Sequence, residues 1–157
     1  MQEKIEEKCK EISHIQNTLW KIYKEFSAKG NAEEWCNKTA ALVNEYDGDM
    51  GWFCKNLVVS WKTTIDGIAG DMRNGLDTRE KHDCIKNIQN TLWSLYKRFL
   101  VDKNIKGYTD KAAALVHEYD GKKDMMLFAQ TLILSWVPVI NSLAADFRGE
   151  SGDDVCK

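Results

Sequence analysis

Apolar residues along this chain recur at spacings of three and four. Ile5, Ile12, Leu19 and Phe26 fall every seventh position, and Ile15, Ile22 and Tyr23 fill the same face. That period belongs to a single amphipathic helix, predicted over residues 3–28 and ended by Gly30. Asn31 supplies an N-cap with acid in the following turn, and Trp35, Thr39, Leu42, Val43 and Tyr46 make the buried stripe of a short second helix that stops at Asp47-Gly48. Asp49 is placed to cap a third helix whose apolar row runs Met50, Phe53, Leu57, Val58, Trp61, Ile65, Ile68 and Met72, ending near Asn74-Gly75.

The pattern then starts again. Asp77 with Glu80 has capping-box spacing, and further helices are predicted over about 79–101, 105–119 and 124–147, leaving 149–157 as a polar, frayed tail. Shifting the sequence by 73 lays IQNTLWKIYKEF (15–26) on IQNTLWSLYKRF (88–99) and AALVNEYDG (40–48) on AALVHEYDG (113–121). A two-residue insertion follows, and a shift of 75 lays LVVSW (57–61) on LILSW (132–136). Ordered matches over three segments read as two copies of one unit of about 75 residues. The expected architecture is all-α: a six-helix bundle built from two tandem three-helix repeats with pseudo-two-fold symmetry. Repeat 1 covers 1–75, and repeat 2 covers 76–148 and packs with it as one domain. A unit this small buries proportionately little surface, so pairing the copies would give a monomer with dimer-like internal symmetry.

The only proline, Pro138, sits inside the last predicted helix, where it removes one donor and crowds the carbonyl of Leu134, so a kink is expected there. Gly67 and Gly70, matched by Ser142 and Ala145, read as small residues that let a neighbouring helix approach closely.

Composition narrows the function classes. The chain is 43% hydrophobic and 29% charged, with a net charge of −2 and its charges interspersed, which gives no footprint for nucleic acid or an acidic membrane. No uninterrupted apolar run has the length of a bilayer span: Met125 to Ile140 is broken by Gln130, Thr131, Ser135 and Pro138. The charged first residues contain no signal-peptide core, so a cytoplasmic location is expected. Five cysteines, an odd number without a C-x-x-C pair, read as reduced thiols rather than a disulfide framework or zinc site.

The search for chemistry returns little. A calcium loop counted from Asp47 would place Val58 where a glutamate is required. His14, His82 and His117 have no histidine counterpart in the other copy, and His82 and Cys84 diverge from each other on their helix. Ser60 and Ser135 read as serines bonded back to their own helix, and Asp71 and Asp146 should bond other elements rather than Arg73 and Arg148. No catalytic residue, metal ligand or cofactor is expected, and the chain is not read as an enzyme.

One stripe stands out. With about 100° per residue, a wheel centred on Leu19 puts Gln16 at the edge of the buried face, Trp20 beside it, and Asn17 and Lys24 outward. The second copy keeps Gln89, Asn90, Trp93 and Lys97. A half-exposed tryptophan among polar residues fits a binding surface, while the same tryptophans could instead fill a seam between the copies. The leading expectation is therefore a non-enzymatic protein-binding module, an adaptor or an inhibitor of the kind carried by phages and other mobile elements, whose partner is another protein. The second is a small-ligand-binding bundle with an aromatic-lined pocket between helices.

Overall fold

The computed structural model describes the backbone of residues 2–155 and the side chains of residues 2–149. The described chain is all-helical, without strands: α1 (Gln2–Lys29), α2 (Ala32–Val43), α3 (Gly48–Arg73), α4 (Arg79–Asp102), α5 (Ile105–His117) and α6 (Lys123–Val155). It divides into two compact units. The N-terminal unit is Glu6–His82, and the other runs from Asp83 onward with the opening residues of α1 through Ile5. Residues 79–82 thus belong with the N-terminal unit, where Lys81 Nζ bonds an Asp71 carboxylate oxygen at 2.6 Å and the His82 ring bonds the Tyr23 hydroxyl.

Within the N-terminal unit, α1 buries Ile12, Ile15, Leu19, Ile22, Tyr23 and Phe26, the face its seven-residue period marks. Trp35, Thr39 and Leu42 of α2, and Phe53, Leu57, Trp61, Ile65 and Ile68 of α3, complete the interior, with α2 packed on α3. The C-terminal unit buries Ile85, Ile88, Leu92, Tyr96 and Phe99 from α4, then Tyr108, Ala112 and Leu115 from α5. Phe128, Leu132, Trp136, Ile140 and Leu143 come from α6, which packs on α5. Each large apolar side chain moved out of water contributes on the order of 1.5–3 kcal/mol, so these faces outweigh any intrinsic helix propensity.

The helix ends show which local rules hold. Asn31 and Asn104 cap α2 and α5 by accepting from the N–H groups of Glu34 and Gly107, each at 3.0 Å. Asp77 engages the residue two places on. Its carboxylate accepts from the Arg79 N–H at 3.0 Å and pairs with the Arg79 guanidinium, which holds its pKa down at about 2. Helix α3 starts at Gly48 with Asp47 as its N-cap residue, two residues earlier than expected, so Asp49 lies inside the first turn. The short helices finish at Val43 and His117, so Tyr46 and Tyr119 lie beyond them, Tyr119 in a turn. At the other end α6 does not stop at 147 but continues to Val155, because no proline or left-handed residue interrupts it.

Pro138 lies within this unbroken helix. Both it and Leu134, whose carbonyl loses its helical donor, are exposed, so water can satisfy that oxygen. By length and mean hydropathy alone, Lys123–Gly149 is long and apolar enough to cross a membrane, with 39% of its most apolar stretch buried in the protein. Ser60 and Ser135 bond back to the carbonyls of Asn56 and Thr131 at 2.9 and 3.0 Å, as expected of helix serines.

Two glycines differ in what they are for. Gly30 takes φ +70° to close α1, and a Cβ there would stand 3.1 Å from the Met72 sulfur. Gly67 and Gly70 are not a close-packing device: an added Cβ would meet nothing within 4 Å at Gly67 and only the Arg73 guanidinium, at 3.7 Å, at Gly70. Gly30→Ala should therefore lower stability by ~1–2 kcal/mol through left-handed strain, while Gly67→Ala should raise it by ~0.5–1 kcal/mol through helix propensity. Urea midpoints of the two variants, moving in opposite directions, check both.

Candidate functional site

The stripe singled out by sequence separates into buried and exposed parts. Gln16 and Gln89 are 5% and 3% exposed, so they offer almost nothing to a partner. Trp20 and Trp93 are half-buried, and Asn17, Lys24, Asn90 and Lys97 are exposed. Trp20 stacks on Tyr23 at 5.1 Å between ring centroids, and Tyr23 leans on Trp61 at the same separation. Trp93, Tyr96 and Trp136 repeat those two distances, and Lys97 lies 5.9 Å over the Trp93 ring. The tryptophans are thus held by their own unit's aromatic cluster, a contact worth ~0.5–1.5 kcal/mol beyond burial.

A second set of residues, missed by sequence reading, lies on the outer faces of the third and sixth helices. Trp52 and Val59 of α3 are 59% and 60% exposed, while Leu127 and Leu134 of α6 are 50% and 67% exposed. The 75-residue shift pairs Trp52 with Leu127 and Val59 with Leu134. Trp52 and Val59 lie two helical turns apart on one face of α3, as Leu127 and Leu134 do on α6. All four fall about half a turn away from the buried rows of α3 and α6, on the outward faces of those helices.

The third arrangement is a cleft between the end of each unit's long helix and the start of its short one. In the N-terminal unit it retains only about 10 Å³ of free space, hardly room for one water. Lys38 bridges the Glu25 and Glu34 carboxylates across it, the latter at 2.8 Å, and Lys29 stands 3.8 Å from Glu34. The hydrogen bond from Lys38 lowers the pKa of both acids and raises that of the lysine. All of these groups lie near the surface, so the network organises the rim more than it stabilises the fold.

In the C-terminal unit the same cleft is a cavity of about 150 Å³. The 73-residue shift replaces Glu25 by Arg98, Lys29 by Asp102, Glu34 by Gly107 and Trp35 by Tyr108, and retains Lys111 for Lys38. Arg98 lies 3.6 Å from Asp102, and Lys111 forms no ion pair among the described residues. Tyr108, only 6% exposed, lines the cavity beside Phe99, 6.1 Å away between ring centroids. Its hydroxyl is buried without a hydrogen-bond partner among the described residues, as is Trp35 Nε1 in the other unit. Burial pushes the Tyr108 phenol well above its usual pKa, so it stays a donor.

Among the described residues no group of three His, Cys, Asp or Glu side chains is placed to hold a metal ion. Cys9, Cys36, Cys54 and Cys84 are free thiols. The His82 ring, unremarkable in sequence, is tied to Tyr23, and His14 lies 3.3 Å from Glu45 at the surface. Compared with known proteins, the chain matches no family model, no curated protein and no solved structure.

Two measurements follow from these environments. Tyr108→Phe removes a buried hydroxyl that has no partner, so stability should stay level or rise by up to ~1 kcal/mol in thermal unfolding. Burial raises the Cys54 pKa to about 11, so at pH 8 it should remain a thiol and resist alkylation while half-exposed Cys9 and Cys36 react, as mass spectrometry of timed labelling would read.

Proposed function

We propose that this protein is a non-enzymatic helical protein-binding module, an adaptor or an inhibitor, that engages another protein through helix surfaces. One observation carries the reading. Trp52 and Val59 on α3, and Leu127 and Leu134 on α6, hold large apolar side chains in water at positions the repeat register pairs. Isolated exposed apolar residues are ordinary, but the same two-turn row kept on both units is a recognition feature. Tryptophan and leucine rows of this kind suit a partner that presents a helix or an apolar groove. The half-buried Trp20 and Trp93, with Lys24 and Lys97 beside them, extend the candidate surface.

The finer architecture belongs to the same proposal. Two copies of one three-helix unit, arranged with pseudo-two-fold symmetry, would present the row twice. The support is the ordered sequence match together with the recurrence of the Trp-Tyr-Trp distances in each unit. A cytoplasmic setting fits four free thiols. The second reading, a small-ligand binder, is favoured by the cavity beside Tyr108.

The test uses the full chain as bait with Trp52→Glu, Leu127→Glu and the paired Lys24→Glu/Lys97→Glu variants. Proteins bound by the native chain should be lost at least ~10-fold from the first two variants, with helicity and melting unchanged. Equal capture by all variants would remove the protein-binding proposal, and loss confined to the lysine pair would move the contact to the first and fourth helices.

A further inference from the structure

The two clefts compared above differ in one chemically pointed way. In the N-terminal unit the chain supplies its own carboxylates, Glu25 and Glu34, to Lys38. In the C-terminal unit the lysine survives as Lys111, but the acids have become Arg98 and Gly107, and a cavity of about 150 Å³ stands where they and the larger Trp35 would be. The loss of Glu34 at Gly107 both vacates the space and leaves Lys111 without a carboxylate. We propose that this cavity binds a small monocarboxylic acid with a single-ring or branched apolar body, its carboxylate taking the place that Glu34 holds in the other unit. The proposal rests on the small-ligand reading and gives it a ligand class.

Three features fit that ligand. Phe99, Leu95 and the ring of Tyr108 form an apolar wall. A volume of this size accommodates about one benzene ring. Arg98 and Lys111 outnumber Asp102 at the rim, so the local charge favours an anion, and Arg98 can chelate a carboxylate through two N–H groups once it leaves its 3.6 Å pairing with Asp102. The start of α5, at Asn104 and Gly107, borders the cavity and adds the positive end of a helix dipole.

The probe is benzoate, compared with its neutral isostere benzamide, titrated into the full chain and followed by calorimetry and by heteronuclear NMR shifts. Benzoate should bind, shift the Gly107 and Tyr108 amides, and raise the melting temperature. Benzamide should bind about fivefold more weakly or worse, and Lys111→Met, an exposed change that spares the fold, should weaken benzoate by a similar factor. Gly107→Glu, which restores the residue of the closed cleft, should abolish binding. If that variant fails to fold, Lys111→Met decides alone. Benzamide binding as tightly as benzoate, or benzoate indifferent to Lys111→Met, would overturn the carboxylate assignment while leaving a pocket for neutral ligands. Absence of shifts at Gly107 and Tyr108 with either compound would overturn the assignment and the small-ligand reading together.

Discussion

The contact on which each unit depends is the one between the tyrosine of its long opening helix and the tryptophan of its long closing helix. Tyr23 meets Trp61, and Tyr96 meets Trp136, at the same 5.1 Å between ring centroids. Two helices of more than twenty residues can cross in many registers, and short aliphatic side chains discriminate poorly among them. An aromatic pair does so sharply, because ring quadrupoles favour tilted or offset geometries and large flat groups leave voids when misplaced. With that contact fixed, the leucine and isoleucine positions on either side fall into facing rows, and the short helix closes the end where Phe26 or Phe99 lies.

A core set this way leaves the far end of the long helix free to vary. The clefts show the consequence: nearly the same backbone plan supports a filled space in one unit and an open one in the other. What decides is side-chain volume and charge. A bridging lysine between two glutamates fills the first, whereas glycine and tyrosine at matched positions open the second. Leu95, Phe99 and Tyr108 line the open cleft beside its charged rim, and the buried Tyr108 hydroxyl carries a desolvation cost of ~1–3 kcal/mol that a fold of this size can absorb.

The sequence made the helices legible for a physical reason, namely that amphipathic period and burial coincide. Ile12, Leu19 and Phe26 could be placed in the interior from spacing alone, and the asparagine caps at 31 and 104 follow from their side-chain chemistry. What spacing cannot reveal is what an outward apolar side chain meets, or whether a small residue is small for packing. Val59 and Leu134 fall opposite the buried rows and stand in water, and a Cβ added at Gly67 would meet nothing within 4 Å. The cleft was equally invisible. It lies in five sequence differences spread over fourteen residues of α4 and α5, none of them a motif, that show only beside the filled cleft of the N-terminal unit.

The breadth of the apolar surface on the closing helices has its own logic. A helix covered by two neighbours needs an apolar arc wider than the third-to-half of its circumference that a surface helix buries, and the polar remainder shrinks accordingly. In α3 that remainder still carries Lys55, Lys62 and Asp66, so Trp52 and Val59 sit among charges. In α6 the matching stretch has Gln130 and Val137 for Lys55 and Lys62, and the helix becomes apolar enough to resemble a membrane span although a substantial part of it is buried. The pressure for such a change cannot come from the core, because these positions face water. Under the proposed protein-binding role, the loss of charge on α6 would suit a partner surface less polar than one that meets α3.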